Sequence, residues 1–164
     1  MVKPGWRLGE GRTTGAGSSS ASAYPAPSPS ESVQIFVLRL HPHQDLKAEL
    51  LKFIQQEGIQ AGFMLTSVGS LRQATLRMAG ATTNQVWRDT FEIVSLVGTL
   101  APSGVHLHLL ITDPSGQVRG GHLQAGCLIY TTAEMVIGES LRHRFERQRD
   151  EQTGYHELRP RFRS

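Results

Sequence analysis

The sequence predicts an α+β fold with a mainly antiparallel sheet of about seven strands and one main helix. Two observations support this prediction. Most apolar segments alternate with polar residues at every second position, which is typical of strands with one buried face. Only the segment HPHQDLKAELLKFIQQEGI changes to the three-to-four-residue spacing of a helix. The predicted domain is therefore a single sheet covered by one helix.

A tail is predicted in front of this domain. Residues 14–30 are almost all Ser, Ala, Gly and Pro, which bury too little apolar surface to offset the entropy cost of ordering. We therefore expect residues 1–31 to be disordered. The globular domain is expected to span residues 32–160, which is about 130 residues and close to the commonest domain size.

The first strand and the helix have clear boundaries in the sequence. The strand is predicted in SVQIFVLRL, which begins at Ser32. Asp45 is a suitable N-cap for the helix, and Gly58 lies where a helix C-terminus favours glycine. Between them, one apolar stripe of leucine and isoleucine is expected to face the core: Leu46, Leu50, Leu51 and Ile54.

The strand pattern resumes after the helix. Strands are predicted in GFMLTSVGSL, ATLRMAG and FEIVSLVGTL, in the hairpin VHLHLLITD–QVRGGHLQAGCLIYT, and then in EMVIGES and TGYHEL. Gly69 and Gly98 interrupt the apolar segments and are expected at turns, bulges or close approaches between backbones.

The net charge of +3 comes from the C-terminal part of the chain. Residues 140–164 contain seven arginines and four acidic residues, and the charges of the remaining residues cancel. The interleaved segment RHRFERQRDE is typical of a solvated surface with internal ion pairs. A surface dedicated to nucleic acid would usually have fewer acidic residues.

Cys127 is the only cysteine, so the chain cannot form an internal disulfide. It lies in an apolar stretch and is expected to pack in the core. The sequence has no secretory signal pattern and no segment long enough to cross a bilayer. We therefore expect an intracellular protein, cytoplasmic or nuclear, without a membrane partner.

Three of the seven histidines lie around one turn, in GVHLHLLITDPSGQVRGGHL. Strand alternation places His106 and His108 on the same face. The position of His122 depends on the loop. A four-residue loop would place His122 opposite Leu107, on the other face of the hairpin.

The residues of the loop favour a shorter connection. Asp followed by Pro suits a type I turn, and the later Gly suits the left-handed position of a bulge. With this three-residue loop, Asp113 pairs with Gln117. His108 then faces His122 directly, and His106 is its diagonal neighbour, close enough for the three imidazoles to converge.

Three imidazoles with an open fourth position are typical of a reactive zinc site. The predicted ligands of a divalent metal, with zinc as the first choice, are His106, His108 and His122. Other divalent metals also bind such a set, because three imidazoles discriminate poorly between them. The alternative is that the histidines are half-buried polar residues on a sheet face or at a subunit interface.

Two carboxylates are candidates for a catalytic role. Glu92 and Glu134 each lie in an apolar strand segment, where an unpaired carboxylate would be costly. Either is a candidate general acid or base, or a partner that orients a metal-binding imidazole. The alternative for each is a pairing with an arginine such as Arg72, Arg77 or Arg88, or exposure to solvent.

The order of these segments resembles the PPC domain, also called DUF296, which occurs in plants and prokaryotes. The resemblance covers residues 33–158 and is most specific in the block H-L-H…D-x-x-G-x-V-x-G-G-H-L. It implies a compact α+β domain that assembles as a homotrimer. Prokaryotic-type members keep the three histidines, and the fold is similar to that of acetolactate decarboxylase, which holds zinc through histidines. The resemblance thus also implies His106, His108 and His122 as metal ligands.

In plants the domain follows AT-hook segments of nuclear DNA-binding proteins. An AT-hook needs an Arg-Gly-Arg-Pro-like core to enter the minor groove. The nearest match in this sequence is GEGRTTG, with Thr13 in place of the proline. The chain therefore departs from the plant pattern, and a nucleic-acid partner is not implied by an AT-hook.

Three functions remain open on the sequence alone. The first is a homotrimeric metalloenzyme acting on a small molecule, with Glu92 or Glu134 as proton carrier. The second is a DNA-associated or transcription-linked assembly module that uses the C-terminal arginines. The third is a structural trimer whose histidines line an interface.

Overall fold

The computed structural model describes residues 32–163, and the predicted disordered tail of residues 1–31 lies outside them. The α+β prediction is confirmed: one helix packs on an antiparallel sheet of seven strands. Two further strands form a separate hairpin. The elements are β1 (Val33–Leu40), α1 (Leu46–Glu57), β2 (Gly62–Arg77), β3 (Asn84–Trp87), β4 (Phe91–Ala101), β5 (Gly104–Thr112), β6 (Val118–Leu123), β7 (Leu128–Ser140), β8 (His143–Arg149) and β9 (His156–Phe162).

The helix has the predicted ends. The Asp45 side chain accepts a hydrogen bond from the backbone N–H of Ala48 at 2.9 Å, and Gly58 adopts the left-handed conformation with φ 66°. The predicted apolar stripe is buried at Leu46, Leu50 and Ile54. These side chains pack on the inner face of the sheet and form its hydrophobic core.

The main sheet has the strand order β1-β7-β2-β4-β5-β6, with β3 paired to β2. β2 is one strand of 16 residues, although the sequence pattern predicted two. Irregularities in its pairing with β7 explain this difference, because each bulge breaks the alternation without ending the strand. The far end of β2 also pairs with β6, where Arg77 lies opposite His122.

The other face of the sheet carries exposed apolar side chains. Four of them, on strands β1, β2, β4 and β5, define what we call the outer patch: Val37, Val68, Val97 and Leu110. Val97 pairs with His108 across β4 and β5, so the outer patch and the histidines share one face. Within residues 32–163 no helix is long and apolar enough to cross a membrane.

The C-terminal segment, predicted as a solvated surface, forms the β8–β9 hairpin. Glu146 makes two ion pairs inside this hairpin, with Arg144 at 3.7 Å and with Arg161 at 3.2 Å. The hairpin is attached to the main sheet by an ion pair between Arg163 and the buried carboxylate of Glu139. It therefore packs against the domain, and local ion pairs stabilise it from within.

Candidate metal centre

The predicted register of the β5–β6 hairpin is observed. Asp113 donates its backbone N–H to the carbonyl of Gln117 at 3.0 Å, and Gly116 adopts a positive φ of 80°. His108 consequently pairs with His122 across the two strands.

The Asp113 side chain holds the turn together. One carboxylate oxygen accepts hydrogen bonds from the backbone N–H groups of Ser115 and Gln117, each at 3.0 Å. The other oxygen pairs with Arg119 at 2.7 Å. The hydrogen bond from Arg119, together with that from the Ser115 hydroxyl, holds the pKa of Asp113 well below its usual range. The carboxylate is therefore ionised at neutral pH and keeps the turn that aligns the histidines.

The three imidazoles converge on one point of the outer face. Their ring centroids lie 4.6 to 5.2 Å apart, and one nitrogen from each ring lies within 4.8 Å of the others. Nε2 of His106 and Nδ1 of His122 are 3.2 Å apart. Two nitrogens bound at about 2.0–2.1 Å to one tetrahedral zinc ion lie about 3.3 Å apart, so the spacing of this one pair fits such an ion.

Burial and positive charge favour the neutral form of two of these rings. Burial lowers the pKa of His106, and Arg147 and His108 lower it further. Burial also lowers the pKa of His122, with Arg77 as the next cause. Both rings are therefore unprotonated at neutral pH, which is the form that binds a metal.

Two glycines let the strands approach each other beside the histidines. A Cβ atom on Gly98 would lie 2.0 Å from the carbonyl oxygen of His106, and a Cβ on Gly121 would lie 2.9 Å from that of Arg77. Gly98 also has a φ of 139°, which side chains rarely allow. The backbone around the three histidines thus depends on glycine at these positions.

A cleft of about 480 Å³ opens beside the histidines. His106 and His122 form part of its wall, together with Arg77 from β2. The β8–β9 hairpin supplies the facing wall, which includes Arg147 and Glu157. A neighbouring cleft of about 300 Å³ brings Arg147 and Glu157 together with His106 and His108. The centre is therefore accessible to a small molecule.

The two carboxylates predicted from the sequence do not lie in these clefts. Glu92 is exposed on β4 and pairs with Thr112 of β5. Thr112 is four residues from His108, a separation of about 13 Å along a strand. Glu134 is exposed on β7, where its backbone lies opposite that of Arg39 of β1. Both side chains therefore face the solvent, which is one of the alternatives to a catalytic role.

The contribution of the β8–β9 hairpin to the clefts was not predicted from the sequence. Its residues in the larger cleft are Arg147, Tyr155, His156 and Glu157. The alternating pattern of HRFERQR indicates a strand, but its interleaved charges suggested full exposure. Only contacts between residues distant in sequence bring the hairpin to the histidines, as when Arg147 donates a hydrogen bond to the Thr99 hydroxyl at 2.6 Å.

Comparison with known families agrees with this fold. Residues 28–141 match the sequence model of the Plants and Prokaryotes Conserved (PCC) domain, the family called PPC above. The chain belongs to this family. The β8–β9 hairpin lies beyond the matched residues of the PCC domain.

Similar solved structures include a hypothetical protein from Salmonella cholerae-suis, with 40% identity and a TM-score of 0.80, which covers 82% of this PCC chain and 97% of its own. A metal-containing protein from Archaeoglobus fulgidus has 27% identity and a TM-score of 0.66, with 76% and 92% covered. A putative DNA-binding protein from Bacteroides thetaiotaomicron has 20% identity and a TM-score of 0.66, with 79% and 96% covered, and shares the fold.

Curated relatives are much longer than this chain. A protein of Synechococcus sp. (strain JA-3-3Ab) named bifunctional protein GlmU is 51% identical over 158 residues, which are 96% of this chain and 24% of that protein. The chain therefore spans about a quarter of the length of that relative.

Proposed function

We propose that this PCC-domain chain is a homotrimeric metalloenzyme that acts on a small molecule. The proposed ligands of a divalent metal, with zinc as the first choice, are His106, His108 and His122. The observation that carries the proposal is the convergence of three imidazole nitrogens within 4.8 Å at the edge of an open cleft. The metal-containing relative from Archaeoglobus fulgidus adds support.

Three protein ligands leave a position for substrate or water. A metal bound there supplies Lewis-acid chemistry, which polarises a carbonyl or lowers the pKa of a bound water. The remaining groups come from the chain itself. Glu157 lies in both clefts with His106 and is the carboxylate placed to accept or donate a proton. We propose it in this role in place of Glu92 and Glu134, which lie elsewhere on the sheet.

The metal site is tested by elemental analysis of the untagged protein beside the double variant His106→Ala/His108→Ala. We expect about one metal ion per chain in the wild type and almost none in the variant, because each histidine supplies one of three ligands. His41→Ala is the matched control, since His41 is exposed and distant in sequence from the hairpin, and it should keep the full metal content. A wild-type protein without metal after incubation with zinc would contradict the proposal.

The homotrimer is supported by the outer patch. Val37 and Val68 expose 76% and 56% of their surface, and exposed apolar surface on one face of a sheet suits a subunit contact. Because the patch and the histidines share one face, subunit contacts made there would enclose the metal centre. The expected trimer therefore places the proposed site near a subunit interface.

A DNA-associated assembly module is the second candidate. Cross-strand pairing places Arg144 opposite Arg161 on one face of the β8–β9 hairpin, and both are exposed. Such arginines are able to contact phosphates, and the relative named as a putative DNA-binding protein agrees with this function. Binding to duplex DNA that weakens steeply with salt, and that is reduced in Arg144→Gln/Arg161→Gln, would favour this candidate. Weak binding that does not depend on these arginines would exclude it.

A further inference from the structure

Two arginines flank the three histidines from opposite sides. We propose that Arg77 and Arg147 bind the oxyanion group of a small molecule, a carboxylate or a phosphate, in the cleft beside the metal centre. This inference rests on the proposed function, because it names the class of ligand that the same site takes. It also assigns a role in ligand choice to the β8–β9 hairpin.

Arg77 lies at the β6 side of the centre. Its backbone pairs with His122, which itself pairs with His108, so the three residues form one row across β2, β6 and β5. Cross-strand partners present their side chains on the same face. The guanidinium of Arg77 therefore belongs to the surface that carries the imidazoles, and it lines the larger cleft with His106 and His122.

Arg147 approaches from the β4 side. Its Nη2 donates a hydrogen bond to the hydroxyl of Thr99 at 2.6 Å, and Thr99 pairs with His106 across β4 and β5. A second hydrogen bond, from the backbone N–H of Arg147 to the Ser103 hydroxyl at 3.1 Å, anchors the strand. Arg147 is therefore held beside His106 and shares both clefts with it.

Neither guanidinium forms a salt bridge with a carboxylate within the described part of the chain, although the charge of Glu157 acts on Arg147. Arg77 donates to the carbonyl of Ala81 at 3.3 Å, and Arg147 donates to Thr99 and to the carbonyl of His156. The buried Nε of Arg147 has no hydrogen-bond acceptor among residues 32–163. Four other arginines do pair with carboxylates: Arg119, Arg144, Arg161 and Arg163.

The charge around the larger cleft favours an anion. Lys47 joins the two arginines in its wall, and Glu157 is the acidic residue that lines it. The planar guanidinium group binds carboxylate and phosphate oxygens through two parallel hydrogen bonds, which makes arginine well suited to such ligands. A volume of about 480 Å³ is within the range of small-molecule sites. The cleft is thus built for a small anionic molecule.

The two walls of the cleft come from different parts of the chain. Arg147 and Glu157 lie outside residues 28–141, which match the PCC domain, whereas Arg77 and the histidines lie inside them. The metal centre therefore belongs to the domain common to the family. The facing wall, with one of the two arginines, is provided by a separate C-terminal element.

The test measures the binding of inorganic phosphate and of malonate to the full chain by calorimetry, after removal of metal with a chelator and at constant ionic strength. Loss of one bidentate arginine contact should weaken binding about tenfold. We expect this loss in Arg77→Gln and in Arg147→Gln. Arg149→Gln is the matched control, because Arg149 is an exposed arginine of the same strand that does not line the cleft. The preferred probe distinguishes a phosphate ligand from a carboxylate ligand.

Circular dichroism checks the fold of each variant. If Arg147→Gln fails to fold, Arg77→Gln and the charge-retaining Arg147→Lys keep the test decisive. The inference is overturned if neither probe binds, or if both probes bind equally well to the wild type and to the folded arginine variants. Metal analysis is independent of this result. If the protein binds metal but neither probe, the oxyanion inference is wrong and the proposed metal site stands. If the protein binds the probes but takes up no metal, the proposed metal site is wrong and the oxyanion inference stands.

Discussion

At the scale of single residues, Gly98 shapes the backbone around the three-histidine cluster although it has no side chain. Its φ of 139° and its contact with the His106 carbonyl allow β4 to lie against β5 at the point where His106 projects. The sequence indicated a turn, a bulge or a close approach at this glycine. The pairing of β4 with β5 shows that Gly98 approaches the carbonyl oxygen of His106.

Gly98→Ala is expected to destabilise the protein by about 3 kcal/mol or more, because it combines backbone strain with a backbone clash. Gly104→Ala is the matched control: Gly104 has a similar φ of 133°, but a Cβ there meets nothing within 4 Å. It should cost about 1–2 kcal/mol, from strain alone. Urea unfolding measures both values, and metal content reports on His106. Equal losses in the two variants would show that the contact with His106 has no energetic importance.

Cys127 is buried, as the sequence predicted, and its environment suppresses its reactivity. Burial raises the pKa of the thiol to about 11. Its sulfur accepts a hydrogen bond from the Thr75 N–H at 3.2 Å. A thiol is a nucleophile only as the thiolate.

We therefore expect iodoacetamide to label Cys127 very slowly in the folded protein at pH 8, and rapidly in urea. Because the pKa is raised in the folded state, the neutral thiol contributes stability below the ordinary thiol pKa of 9.0. That contribution is lost as the pH rises towards 11. Mass spectrometry follows the labelling, and a folded-state rate equal to that in urea would contradict the prediction.

At the scale of elements, the two hairpins differ in how far the sequence determines them. The β5–β6 hairpin follows from its own residues, because Asp113 and Gly116 specify the loop and the loop specifies the register. The β8–β9 hairpin has a comparable strand pattern, but its position depends on contacts with distant residues, such as the ion pair between Glu139 and Arg163 and the hydrogen bond from Arg147 to Thr99. Contacts between residues so far apart in the chain cannot be predicted from the local sequence pattern.

Glu139→Gln is expected to destabilise the protein by about 2 kcal/mol, since Arg163 loses a charge-assisted hydrogen bond to a buried carboxylate. The matched control Glu146→Gln removes a half-buried carboxylate that also pairs with arginine, and it should cost less than about 1 kcal/mol because its arginine partners are exposed. Urea unfolding gives both values. Trypsin should also cleave the hairpin arginines faster in Glu139→Gln, because the hairpin is less firmly attached. A protease-resistant Glu139→Gln protein would show that other contacts suffice to hold the hairpin.

At the scale of the whole molecule, one helix covers one face of the sheet and leaves the outer patch exposed. Val68 and Val97 contribute apolar surface from two different strands of that face. The same face carries the three histidines. Assembly and the metal centre are therefore expected to depend on one surface.

Val68→Glu is expected to shift the protein from trimer to monomer, because a charge placed in an apolar interface is costly to bury. Val86→Glu is the control, since Val86 is an exposed valine on the short strand β3, outside the outer patch. Light scattering should give three times the chain mass for the wild type and the control. A wild-type protein that is monomeric at high concentration would contradict the homotrimer.

The sequence alone determined the features that depend on neighbouring residues. Alternation identified most strands, Asp45 and Gly58 marked the ends of the helix, and the loop chemistry at Asp113 set His108 opposite His122. Each follows from backbone preferences and side-chain periodicity, which act over a few positions. The three-histidine cluster was therefore predictable.

Tertiary structure decided what surrounds that cluster. Arg77 reaches the site because the far end of β2 pairs with β6, and Arg147 and Glu157 reach it because a later hairpin packs beside β4 and β5. These residues are separated from the histidines by long stretches of chain. Their approach depends on the sum of many weak packing and hydrogen-bond contacts, and no local pattern in the sequence records that sum.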